Sequence, residues 1–158
     1  MSEHHIIIKH VRASFPQLFT KPVFTEDDGS KRPGKYNMKG ILDPVEHAAD
    51  IKKIETRIAV LIRDKLSGKK VAADKRCLRN GDDLTRPEYE GNMILSMSAK
   101  NRPVVVDRRG RPVTEDDGVI YSGCYVDVKI DLWAWAHAKG ASVNAELITV
   151  VFNADGEP

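Results

Sequence analysis

At 158 residues, 41% of them hydrophobic and 30% charged, the chain has the composition of a globular protein, with residues 1–158 expected to form one domain around one sizeable core. Its net charge of only +2 exerts no overall pull on nucleic acid, so any electrostatic site has to come from local clustering. No apolar run reaches bilayer length, and the start, Met1 to Lys9, lacks the basic segment and small-residue cleavage site of a secretory signal, so a cytoplasmic protein without a membrane partner is expected.

Ile6 to Phe15 is rich in β-formers and predicts a first strand. Pro16, Pro22 and the run Gly29-Ser-Lys-Arg-Pro-Gly34 predict a long loop, followed by a second strand over Tyr36 to Leu42. Asp43 then offers a cap, Pro44 suits a first helical position, and Glu46 stands three residues past the cap. These signals predict one principal helix over about residues 44–66, stopped by Ser67-Gly68, whose Ile51, Ile54, Ile58, Leu61 and Ile62 lay one face on a core. Lys69 to Gly91 reads as irregular, basic and then acidic, with a short helical turn near Asp74. Asn92 to Lys100 alternates as a strand, and Val104-Val-Val106 opens a short hairpin turning at Asp107-Arg-Arg-Gly110. Long alternating strands are predicted over Gly123–Ala136 and Ala141–Phe152. The class is mainly β (α+β), and the pattern suits an OB-like five-stranded barrel with long loops, or another small α+β barrel.

Charge is distributed in blocks. Lys69, Lys70, Lys75, Arg76 and Arg79 form one basic cluster, and Lys100, Arg102, Arg108, Arg109 and Arg111 form another. Acidic residues gather at Glu26-Asp-Asp28, Asp82-Asp83 and Glu115-Asp-Asp117, an arrangement that allows a positive groove on a nearly neutral protein. The pentapeptide Thr-Glu-Asp-Asp-Gly occurs at 25–29 and again at 114–118; neither copy has the spacing of a calcium loop, so both read as acidic turns. Cys77 and Cys124 make no disulfide framework, and neither they nor the histidines show paired metal-ligand spacing, so no metal and no other cofactor is expected. The motifs of serine hydrolases, P-loop enzymes, zinc proteases and dinucleotide binders are missing from the sequence, so a non-enzymatic role is expected. A nuclease holding Mg²⁺ on the acidic clusters and a protein–protein assembly module stand as the alternatives.

The strand over Gly123–Ala136 carries the most information. Cys124, Val126, Val128, Ile130, Leu132, Ala134 and Ala136 fall on one apolar face; Tyr125, Asp127, Lys129, Asp131, Trp133 and Trp135 fall on the other. Rings that share a strand face with charges are candidates for a base-stacking platform, although Trp133 and Trp135 could equally pack beneath the helix or a loop. Tyr36 beside Lys35 and Lys39, Arg12 just before Phe15, and Lys100-Asn-Arg102 after the Ser96/Ser98 face place cations next to aromatics or hydroxyls, as a phosphate track requires.

Taken together, Val11-Arg-Ala-Ser-Phe-Pro-Gln-Leu-Phe19, Lys35-Tyr-Asn-Met-Lys-Gly-Ile-Leu42, Leu78-Arg-Asn-Gly-Asp-Asp83, Ser98-Ala-Lys-Asn-Arg-Pro-Val-Val-Val-Asp107, Tyr121-Ser-Gly-Cys-Tyr-Val126 and Asp155-Gly-Glu-Pro158 resemble a family of phage single-stranded DNA-binding proteins, long catalogued as a domain of unknown function. The pieces keep the family's order and span nearly the whole chain. The resemblance implies an OB fold binding single-stranded DNA with little sequence preference during phage replication and recombination. It implies Arg12, Lys35, Tyr36, Lys39, Lys100 and Arg102 near the DNA; the basic cluster adds Arg76 and Arg79, and the mixed strand face adds Tyr125, Lys129, Trp133 and Trp135. Phage replication or recombination proteins are the further partners expected, and homo-oligomerisation is left open. Val143–Val151 follows the family's last strand only loosely, and the residues up to Pro158 hold no acidic run of the sort such proteins often use to recruit partners.

Overall fold

The computed structural model describes residues 4–138 and 140–158. Among the described residues, nine strands and one α-helix follow in chain order: β1 (Ile6–Gln17), β2 (Val23–Thr25), β3 (Lys31–Pro33), β4 (Tyr36–Leu42), α1 (Ala48–Lys65), β5 (Leu78–Asn80), β6 (Met93–Ala99), β7 (Val104–Val106), β8 (Tyr125–His137) and β9 (Gly140–Ala154). Seven of them hydrogen-bond in the order β5-β6-β4-β1-β8-β9-β7. A parallel contact between β6 and β9, with Ser98 opposite Glu146, joins the ends and closes β1, β4, β6, β9 and β8 into a five-stranded barrel of OB type.

The alternation seen in the sequence explains the barrel's interior. Along β8, Val126, Val128, Ile130 and Leu132 are buried; along β9, Val143, Ala145, Leu147 and Val150 face them. In β1 the inward set changes from Ile6 and Ile8 to Val11 and Ala13, a switch of parity made by a bulge between Ile8 and Val11 in which His10 takes a φ of 58°. Helix α1 covers the barrel with Ile54, Ile58 and Leu61, packing on β8 and β9.

The helix starts later than its capping signals predict. Asp43 Oδ1 does accept the N–H groups of Val45 and Glu46, at 2.8 and 3.0 Å. Residues 44–47 nevertheless form a turn, because the buried His47 ring folds back, taking the Asp43 N–H on Nδ1 at 3.0 Å and pairing Nε2 with the Lys9 carbonyl at 3.0 Å. The predicted stop holds: Ser67 and Gly68 adopt positive φ, and the Gly68 N–H bonds to the Ile62 carbonyl.

Three short elements differ from expectation. The predicted loop before Tyr36 contains the β2–β3 hairpin, with Phe24 opposite Arg32. The irregular stretch holds the predicted helical turn at Ala73–Lys75 but also β5, which pairs with β6. Val104–Val106 does turn at Asp107–Gly110, yet its return arm is a lone bridge from Val106 to Pro112; the main partner of β7 is β9, in parallel. Local pattern could not reveal that pairing, since the two strands are far apart in sequence.

A satellite cluster of Ile41, Ile94 and Tyr89 lies outside the barrel, and the Tyr89 hydroxyl shares a 2.6 Å hydrogen bond with Ser14. Gly81 lets the chain 81–92 close over it: a Cβ at that position would run into the backbone carbonyls of Tyr89 and Asn92.

Candidate nucleic-acid interface

The outer face of β4 and β6 forms the floor of a cleft of about 740 Å³. Asn37 and Lys39 line the cleft from β4, with Lys35 just ahead of that strand, and Ser96 and Ser98 line it from β6, with Lys39 opposite Ser96 and Asn37 opposite Ser98. Lys39 Nζ donates to Ser96 Oγ at 3.1 Å. Pairing of β5 with β6 puts Arg79 opposite Ile94, next along the same face from Ser96.

This floor gathers positive charge without neutralising it. Burial, and secondarily the neighbouring Arg79 guanidinium, hold the Lys39 pKa below the ordinary lysine value. The Arg79 Nε is buried and has no hydrogen-bond partner in the protein. Among the described residues, Lys35, Lys39, Lys75, Arg76 and Arg79 form no ion pair. An anion entering here would relieve both the repulsion and the unmet donor.

The walls come from two further elements. Beyond the barrel, β8 and β9 continue as a two-stranded arm paired up to His137 opposite Gly140, with Trp133 opposite Asn144 and Trp135 opposite Ser142. Both indoles are on the outer side: Trp133 is 37% exposed and Trp135 55%. The question that sequence leaves open is thereby decided in favour of accessible rings. Lys35 Nζ lies 5.6 Å from the Trp133 ring centroid, and the His137 ring stands 4.6 Å from Trp135, tilted by 37°. Alongside β9 of the arm runs the segment 71–77, fastened to it by a parallel bridge between Arg76 and Val143 and by the Cys77 N–H on the Val143 carbonyl at 2.9 Å. Arg76 braces that segment through Nε on the Val71 carbonyl at 3.1 Å, and Asp74 is the acidic residue along the wall. Burial pushes the Cys77 thiol, which also borders the cleft, up to about 12.

Of the residues singled out in the sequence, the cleft brings together Lys35, Lys39, Arg76, Arg79, Trp133 and Trp135. The others stand elsewhere. Tyr36 has the opposite parity on β4 and lies under Lys21, at 5.3 Å. Arg12 donates to the Glu157 carbonyl at 2.9 Å and thereby holds the C-terminal segment. Tyr125 stacks on His10 with centroids 4.1 Å apart, about 26 Å along β8 from Trp133 at the usual strand rise. Lys129 sits between Ile7 and Thr149 in the sheet register, on that same distant stretch. Arg102 donates to the Phe19 carbonyl at 2.7 Å, and Lys100 is exposed just past the end of β6. Sequence reasoning missed His137, Asn144 and Ser142. His137 had a signal, since it continues the outward parity of Trp133 and Trp135 by one more step. Neither Thr-Glu-Asp-Asp-Gly turn lines the cleft; in the first, Asp28 bonds to Ser30, and in the second, Asp117 takes the Thr114 N–H at 2.8 Å.

The resemblances of this chain to known proteins are specific. A family model described as "Enterobacter phage Enc34, ssDNA-binding protein" matches residues 4–158. Protein p50 of Acyrthosiphon pisum secondary endosymbiont phage 1 is 33% identical over 161 residues, covering 96% of this chain and 84% of the relative. A C-terminally truncated single-stranded DNA-binding protein from bacteriophage Enc34 superposes with a TM-score of 0.85 at 30% identity, over 99% of this chain and 89% of the other. The same phage protein in complex with single-stranded DNA gives a TM-score of 0.84 at 28% identity, over 99% and 90%.

Proposed function

The chain belongs to the family of the Enterobacter phage Enc34 single-stranded DNA-binding protein, and from that premise we propose that it is itself a phage protein that coats single-stranded DNA. The observation that carries this reading is the cleft, where unpaired cations on a β-sheet floor face two exposed indoles on an arm. Phosphates settle on Lys39 and Arg79, with Lys35 and Arg76 at the sides, while bases stack on Trp133 and Trp135. Contacts of this kind meet the phosphate and the π-face that every nucleotide carries, so binding is largely indifferent to sequence.

In this reading the chain acts as one binding domain and catalyses nothing. It works in the cytoplasm of the infected host, keeping unpaired strands accessible for replication and recombination. The test is fluorescence anisotropy of labelled oligo-dT at low salt, with duplex DNA and RNA as competitors. Saturable binding that duplex competes with poorly supports the proposal; no affinity for oligo-dT overturns it. Labelled oligonucleotide incubated with the protein and Mg²⁺ should stay intact, and its degradation would show an enzyme instead.

A further inference from the structure

Phe15 lies in a second bulge of β1, between Ser14 and Gln17, where its N–H donates to Ser122 Oγ at 3.2 Å and the irregular backbone turns its side chain outward. It precedes Pro16, a position where sterics favour extended backbone, yet its φ is 49°, in the left-handed region that bulky residues avoid. Far from being buried for this strain, its side chain is 48% exposed. The Arg86 guanidinium lies over the ring at 3.9 Å, and the only carboxylate near that guanidinium among the described residues is Glu88, at 3.9 Å. Strained backbone that presents an aromatic ring with a cation stacked on it is a common mark of a binding position.

The ring also lies on the continuation of the cleft. From Trp133 the surface passes to Lys35, 5.6 Å from the indole, and then to Asn37 on the same outward face of β4. Asn37 Nδ2 donates at 2.8 Å to Gln17 Oε1 on the neighbouring β1, and Phe15 is two residues back along that strand. We infer that Phe15 and Arg86 form a second station for single-stranded DNA, outside the tryptophan cleft, where a base stacks on the ring and its phosphate meets the guanidinium. The strand would run from the β8–β9 arm across β4 to the end of β1. This inference rests on the DNA-binding reading above and extends the path that reading describes.

The experiment measures affinity for oligo-dT of increasing length, from about 4 to about 16 nucleotides, the range of site sizes for this fold. Phe15→Asn removes the ring while suiting the left-handed backbone, so its melting temperature should stay level or rise. Its affinity for the longest oligomer should fall about fivefold or more, while the shortest, which fits in the cleft alone, binds as before. Phe15→Trp should retain long-oligomer affinity, and Arg86→Gln should flatten its salt dependence. Equal affinities for Phe15→Asn and the unmodified chain at every length would overturn the second station, as would a loss that is the same at all lengths and accompanied by lower stability. If the unmodified chain binds and depends on Trp133 but ignores Phe15, only the extension fails; if it binds no oligomer, the underlying reading fails as well.

Discussion

Replacing Trp133 or Trp135 with alanine separates a binding residue from a packing residue. With more than a third of one indole and more than half of the other exposed, neither ring is part of the core. Trp133→Ala forfeits the Lys35 contact at 5.6 Å, about 0.5–1 kcal/mol for a cation over an exposed ring, and the packing of the covered part of the indole, about 1 kcal/mol more. A buried tryptophan would cost about 3–5 kcal/mol. In a chain of this size 1 kcal/mol moves Tm by about 2–4 °C, so calorimetry should find a drop within about 8 °C. Affinity should respond much more, since each lost base stack is worth about 1–3 kcal/mol, or about 5- to 150-fold at 25 °C. The chain has two tryptophans, so each single variant leaves one indole as a reporter, and oligo-dT should quench it. Affinity within about twofold of the unmodified protein, together with a Tm loss beyond about 8 °C, would refute the stacking argument.

Three further outcomes follow from the same geometry. Burial and Arg79 disfavour the charged form of Lys39, and a bound phosphate restores it, so binding takes up a proton. Affinity for oligo-dT should therefore decline with rising pH before ordinary lysines discharge near about 10.4, and Lys39→Arg should flatten that profile; an identical profile in the variant would contradict the linkage. Gly81→Ala forces a Cβ against the Tyr89 and Asn92 carbonyls and should lower stability by about 1–3 kcal/mol in denaturant unfolding; an unchanged midpoint would show that the 81–92 segment yields freely. Cys77, whose thiol burial pushes up to about 12, should resist alkylation at neutral pH until the chain unfolds, which rapid labelling of the native protein would disprove.

Much of this site could be read in advance because it depends on local periodicity. The period-2 pattern of β8 places Trp133 and Trp135 opposite the apolar set Val126 to Leu132, and the barrel keeps that division intact. The parity of β4 likewise separates Lys35 and Lys39 from the buried Met38. Whether those two faces meet is another matter. It depends on the closure of β6 against β9, on the three-residue strand β5 that delivers Arg79, and on the Cys77–Val143 bond that holds the segment 71–77 beside the arm. None of these leaves a trace at short range. The same limit explains Tyr125 and Lys129, which share a strand face with the tryptophans but lie far down a long, coiled strand. Several pieces of the family resemblance turn out to hold the fold together: Gly81 admits a backbone crossing, and the Tyr121 hydroxyl bonds to Asp155 and Gly156 and so ties down the C-terminal segment.

A salt titration of oligo-dT binding puts the cleft itself to the test. If Lys35, Lys39 and Arg79, with Arg76 and Lys75 beside them, engage roughly three to five phosphates, the plot of log affinity against log salt should slope at about −2 to −3.5, and Lys39→Gln with Arg79→Gln should bring it closer to zero. A flat plot for the unmodified protein, or a slope that the double substitution leaves unchanged, would mean that the unpaired charge on this floor is not what holds the strand.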